Sequence, residues 1–258
     1  MIFVILCAAG LKVNAPKCSF GLKDIPYLGY VITRGGIKPD PKKLQGVMDT
    51  GRPSTTTEAR ALIGMVQYYR NMWPRRSHVL APLTEAASGP KGRKILWNDA
   101  LEIYFKNLKC MVSVETLLSY PGWKLPFTVH TGDSDKQLGA VNSQNNKPIS
   151  FFSSKLSKPQ RNYATTKKEL LAIVECLKQF RGIIFGYEIN VFSDHKNLFY
   201  AATMSEYQRV MRWRIIIEEF GPNIQHIAGV ENILVDMLIR LSYTPSDKNY
   251  PFTRKSQC

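Results

Sequence analysis

The sequence predicts an α/β (α+β) chain: a mixed five-stranded sheet with flanking helices, preceded by a smaller region made of a hairpin and short helices. Three observations predict it. Apolar residues recur at helical spacing between about residues 42 and 112, and from about residue 125 the period shortens to two. Past that switch the segments run strand, strand, strand, helix, strand, helix, strand, helix, the order of a layered sheet-and-helix domain. Turn residues punctuate the first strands, at Ser134-Asp135 and across Gln144–Lys147.

Residues 1–43 read as the end of a larger unit. The opening MIFVILCAAG imitates a secretory signal but lacks its basic first part, and reads as the tail of an apolar helix. A hairpin follows, with YLGYVI (27–32) as one strand, Arg34-Gly35-Gly36 as the turn and IKPDP as the close. Such a hairpin is hardly stable alone, so the chain is expected to begin inside a domain.

Residues 44–95 read as short helices. Thr55 and Glu58 have capping-box spacing, and a helix is expected from Ala59 to Met72. Its apolar side carries Leu62, Ile63, Val66 and Tyr69, while Arg60, Gly64 and Tyr68 line up as a second stripe at spacings of four. A helix-interior glycine costs about 1 kcal/mol relative to alanine. Close approach of a nucleic-acid backbone, or tight helix–helix packing at Gly64, would each offset it, and these residues leave both open. Residues 96–125 follow the basic link SGPKGRK as a connecting helix, capped by Asn98 and apolar at Leu101, Phe105, Leu108 and Val112.

Residues 126–242 carry the sheet: PFTVHT, QLGAVNS and KPISFFSSKL as strands, then a helix from Thr165 or Thr166 to near Gly182. YEINVFSD is a fourth strand and NIQHIAG a fifth. Between them residues 204–220 form a helix bearing Arg209, Arg212 and Arg214, and ENILVDMLIRL closes the domain as a helix. The polar tail 243–258 is expected to be disordered.

Thirty-five Lys and Arg against 20 Asp and Glu leave a net charge of +15, which favours a polyanionic partner because neutralised phosphates release counterions. A membrane surface is the rival, yet the basic residues are dispersed and no apolar run reaches transmembrane length. The 5 cysteines are odd in number and show no paired spacing, which fits an intracellular, unsecreted chain.

Glu169 in the first turns of a helix, Asp194 after the strand NVFS and Asp236 in the closing helix are the candidate catalytic carboxylates. Carboxylates converging from two helices and a strand end are the oxygen ligands that magnesium or manganese takes, and two such ions clamp a phosphodiester. Each also has a plainer reading: Glu169 favoured by the helix dipole, Asp194 a cap, Asp236 a solvated face. Spacing alone does not show that they meet.

Six ordered blocks carry a resemblance: YLGYVITRGGIKPDPKK, ARALIGMVQYYR, HTGDSDKQLGAV, RNYATTKKELLAIV, FSDHKNL and VMRWRIIIEEFGPNIQHIAGVENILVDMLIRL. Together they resemble the Pol polyprotein of gypsy-type LTR retrotransposons over roughly residues 8–242. The resemblance implies a primer-grip hairpin at the end of the reverse-transcriptase palm, then a thumb at 44–95. It places Arg60, Gly64 and Tyr68 along the minor groove of the primer–template. From about residue 126 it implies an RNase H domain that hydrolyses the RNA strand of an RNA–DNA hybrid with Mg2+ or Mn2+, through metal ligands Glu169, Asp194 and Asp236, with Arg212 on nucleic acid. The polymerase metal site would lie before Met1, in a separate polymerase portion of the polyprotein.

The departures matter as much. The family block HTDASD reads HTGDSD here, so Gly132 occupies the metal-bridging Asp position. Asp133 is one residue away, and successive strand positions face opposite ways, so it substitutes only if the strand bulges there. Lys167 replaces an acidic residue near Glu169, and VDMLIRL keeps Asp236 among altered neighbours. His195 and His226 read as structural. The resemblance therefore implies an RNase H impaired at its first ligand; the alternative is a non-catalytic nucleic-acid-binding relic or domesticated fragment.

Overall fold

The computed structural model describes residues 2–14, 17–134, 136–193 and 207–227. Asp194, His195, Asp236, the closing-helix segment and the tail lie outside the described residues, as does the side chain of Asp133. The apolar opening forms helix α1 (Ile2–Ala8), with Ile2, Phe3, Val4 and Ile5 all exposed.

The expected hairpin is a three-stranded antiparallel sheet, β1 (Ile25–Tyr27), β2 (Tyr30–Thr33) and β3 (Gly36–Pro39). YLGYVI is thus split. Leu28 (φ 46) and Gly29 (φ 77) form a two-residue turn between the paired Tyr27 and Tyr30, because two consecutive positive φ angles match the twist of a tight hairpin. Gly36 is needed for another reason. Ile37 bridges Leu118, and a Cβ on Gly36 would lie 2.0 Å from the Leu118 carbonyl oxygen.

Helix α2 (Pro41–Asp49) starts at Asp40, whose carboxylate accepts from Lys42 N at 3.0 Å. Helix α3 (Thr56–Tyr68) starts at Thr55, which accepts from Glu58 N. The Glu58 carboxylate accepts from Ser54 N at 2.7 Å, one residue upstream of the expected box. Helix α3 ends at Tyr68 rather than Met72, since Tyr69, Met72 and Trp73 are buried in the turn that follows. Helices α4 (Arg76–Ala86) and α5 (Asp99–Ser113) complete the region, the latter capped by Asn98 as expected. Residues from all four helices, among them Val47, Leu62, Leu80, Phe105 and Leu108, share one core. Helix α5 therefore belongs to the packing of the helical region rather than merely leading out of it.

The second sheet has the expected five strands: β4 (Phe127–Asp133), β5 (Gln137–Gln144), β6 (Lys147–Lys155), β7 (Ile189–Ser193) and β8 (Asn223–His226). Their order is β6-β5-β4-β7-β8, antiparallel through β4 and parallel from β4 to β8, so the sheet is mixed. After the short α6 (Lys158–Arg161), α7 (Thr165–Ile184) covers one face, burying Phe127, Val129 and Val191 against Ile173, Leu177 and Phe180; α8 (Tyr207–Phe220) packs against α7. The helical region covers part of the other face. Val141 and Phe151 join its core, Phe151 N donates to Asn71 O at 2.9 Å, and Arg76 Nη2 donates to Ser153 O at 3.1 Å. Among the described residues no helix is long and apolar enough to cross a membrane.

Candidate nucleic-acid-processing site

The candidate site lies where the parallel pair β4/β7 ends. Their pairing runs from Phe127↔Ile189 to His130↔Phe192, with the His130 and Phe192 rings stacked at 5.0 Å. Thr131 Oγ1 continues the contact by donating to Phe192 O at 3.3 Å. Ligand sites of α/β sheets form at such carboxyl ends, next to the point where strand order reverses.

On the α7 side, inward positions Ile189, Val191 and Ser193 are all buried, as strand alternation requires. Glu169, from the second turn of α7, is 1% exposed, and its Oε2 accepts from Ser193 Oγ at 3.0 Å. A buried carboxylate is tolerated only when such donors meet it. Ser193 was not singled out from sequence, although its parity with Ile189 and Val191 on an inward strand face is a readable signal. Lys168, adjacent to Glu169, is the buried lysine at 7% exposure; Lys167, the position that the sequence emphasised, is half-buried.

Gly132 is buried on the opposite face. It pairs with Gly139, and the ladder runs Thr131↔Ala140, Gly132↔Gly139, Asp133↔Leu138 with no extra residue. Its row continues to Ser153 on β6, where the helical region docks. The bulge that would let Asp133 take the place of residue 132 is absent from this pairing; the irregularity in the sheet lies at Asn142/Ser143. Glu169 and Gly132 thus come to the same strand end but from opposite faces.

Glu169 offers the donor type that magnesium takes. Among the described residues, however, no group of three His, Cys, Asp or Glu side chains comes together, and Gly132 supplies no side-chain oxygen. The described residues alone do not fit a two-ion site.

The Arg60–Gly64–Tyr68 stripe divides. Gly64 is exposed, with nothing within 4 Å of a Cβ built on it, so no helix packs there. With Lys43, Met65, Tyr68 and Gly29 it lines a groove of about 530 Å3 beside the β1–β2 turn. The Tyr68 hydroxyl donates to Leu28 O, and Tyr69 donates to Gly29 O at 2.6 Å, fixing the turn to α3. Burial, then the neighbouring Tyr30, pushes the Tyr69 phenol up to about 12. Arg60 instead donates to Ala87 O at 3.1 Å and Gly89 O at 2.6 Å, bracing the C-terminus of α4. On α8, Arg212 is exposed, whereas Arg209 donates to the Tyr163 hydroxyl at 2.5 Å. His226, expected to be structural, is exposed on β8.

A family model described as the RNase H-like domain found in reverse transcriptase matches residues 123–220. The retrovirus-related Pol polyprotein from transposon 297 of Drosophila melanogaster is 34% identical over 244 residues, covering 93% of this chain and 23% of the polyprotein. That from transposon gypsy of the same organism is 30% identical over 247 residues, covering 91% of this chain and 24% of the polyprotein. The chain therefore spans about a quarter of the length of these curated relatives. Foamy viral protease-reverse transcriptase in complex with RNA/DNA hybrid shares the fold at a TM-score of 0.80 and 19% identity, covering 96% of this chain and 34% of that one. Its complex with dsDNA gives 0.76 at 19% identity, covering 88% and 50%.

Proposed function

The chain belongs to the Pol family of gypsy-type retrotransposons, through the RNase H-like region of reverse transcriptase, and we propose that it binds RNA–DNA hybrid while cleaving the RNA strand weakly or not at all. The observation that carries the reading is Gly132. It stands in an unbroken β4–β5 ladder where the family places a metal-bridging Asp, and it has no side-chain oxygen to offer a metal.

Binding is supported by the net charge of +15, by the open groove at Gly64, Lys43 and Tyr68, and by exposed Arg212 on α8. In this function Arg60 acts indirectly, tying α3 to the turn that follows α4. Glu169, fixed by Ser193, with Asp194 and Asp236, would be the remaining ligands for Mg2+ or Mn2+; when bound, those ions supply the activated water and the charge stabilisation of phosphodiester hydrolysis. Replacing a supporting group alone reduces metal affinity or activity roughly 10–100-fold, so loss of a direct ligand reduces the rate by more. The remainder of the Pol polyprotein is the proposed partner for DNA synthesis. A second reading, a purely binding role, is favoured by the same glycine.

The test is cleavage of a labelled hybrid by the chain and by its Gly132→Asp variant, with magnesium and with manganese. We expect cleavage at least about 100-fold faster in the variant. Equal rates would show that Gly132 is not the impairment, and hybrid binding with silence in both would leave the purely binding role.

A further inference from the structure

We propose that the cavity between the first turn of α4 and the β4–β5 turn seats one backbone phosphate of the bound nucleic acid, a reading that rests on the hybrid binding above. The cavity holds about 200 Å3 and is lined by Ser77 and His78 of α4, Lys136 and Gln137 at the β4–β5 turn, Lys155 at the end of β6 and Arg161 of α6. Among its described lining residues Glu85 is the one carboxylate, and Lys155 already engages it. Lys136 and Arg161 add positive charge to the lining, although Arg161 also donates from Nε to Leu156 O at 3.3 Å and feels the Glu85 carboxylate. The positive field is felt inside: burial and then Arg75 and Lys136 hold the His78 imidazole below its ordinary value. Concentrated like charge in a partly enclosed space favours an anion, and phosphate oxygens accept from hydroxyl, amide and ammonium donors of this kind.

The position points to a phosphodiester. Ser77 Oγ lies 2.5 Å from Ser153 Oγ, and Ser153 shares a cross-strand row with Gly139 and Gly132. Two strand spacings of about 4.8 Å put that contact roughly 10 Å from Gly132, on the same face. A strand of nucleic acid reaching the candidate site from the helical region would pass the cavity.

The experiment measures hybrid binding against salt for the chain, Lys136→Gln, Lys136→Arg and a charge-matched control, Lys91→Gln. Lys136 and Lys91 are both exposed, so folding is retained, as unfolding midpoints will verify. Lys136→Gln should lower the slope of log affinity against log salt by roughly one and weaken binding several-fold, while Lys136→Arg and Lys91→Gln keep the slope. Single methylphosphonate replacements along the hybrid should find one or two adjacent phosphates that matter to the chain and not to Lys136→Gln. If the chain does not bind hybrid, the functional reading fails and the seat with it. If it binds and Lys136→Gln behaves like Lys91→Gln, the seat alone is overturned. Stabilisation by inorganic phosphate over chloride of equal ionic strength, with no Lys136-dependent position in the hybrid, would assign the cavity to free phosphate and overturn the proposal.

Discussion

Ser193→Ala perturbs the described carboxylate of the site at a single atom. Ser193 is 0% and Glu169 1% exposed, and their hydrogen bond is 3.0 Å, so no water replaces the lost hydroxyl. A hydrogen bond to a charged acceptor contributes roughly 1.5–3 kcal/mol, and removing one oxygen leaves too small a void to add much, so a loss of about 2 kcal/mol is expected. Glu169→Gln preserves shape but removes charge, which lowers the same bond to roughly 0.5–1.5 kcal/mol. Removing the serine should therefore matter less in the Gln background, a coupling of about 1 kcal/mol. Urea unfolding of the chain, both single variants and the double variant at pH 7 measures this, with unchanged m-values showing that only stability moved. Additivity within about 0.3 kcal/mol would refute the reasoning, because independent groups add and a charged acceptor held by its donor does not.

Leu108→Ala, at 1% exposure in the core that joins α2–α5 to Val141 and Phe151, should lose about 2–5 kcal/mol in a single unfolding transition. Two transitions, of which only one moves, would show that the helical region and the sheet fold separately. Arg76→Met removes donors to Gln67 and Ser153 O, but burial already disfavours that guanidinium, pushing its pKa down to about 10, so the net loss should be about 1–2 kcal/mol. Limited proteolysis should then release the helical region faster, and unchanged protection would remove Arg76 from the interface. Burial holds His78 and His130 below their ordinary value of 6.5, so the unfolded chain binds protons more readily than the folded one. Stability is therefore complete above that pH and declines as pH falls through it, and urea midpoints at pH 7.5 and 5.5 for the chain and for His130→Gln check the sign.

Periodicity alone determined the two-part fold, because helical and strand spacing each record which side of an element meets a core. The Asn98 cap and the Asn145–Asn146 turn were legible for the same local reason, their side chains or φ angles serving residues a few places away. The splitting of YLGYVI was less legible: the positive φ of Leu28 belongs to a turn that Tyr68 and Tyr69, 40 residues on, clamp. Sequence also named Gly132 and Glu169, but as types in a pattern. Only the sheet register decided that Gly132 has no bulge beside it and faces the helical region, and only the packing of α7 on β7 decided that Ser193 holds Glu169. Arg60 shows the limit most clearly. Its spacing to Gly64 and Tyr68 is a property of one helix, whereas its carbonyl partners at Ala87 and Gly89 lie just past the end of another, and such contacts are set by how helices dock rather than by any local run of residues.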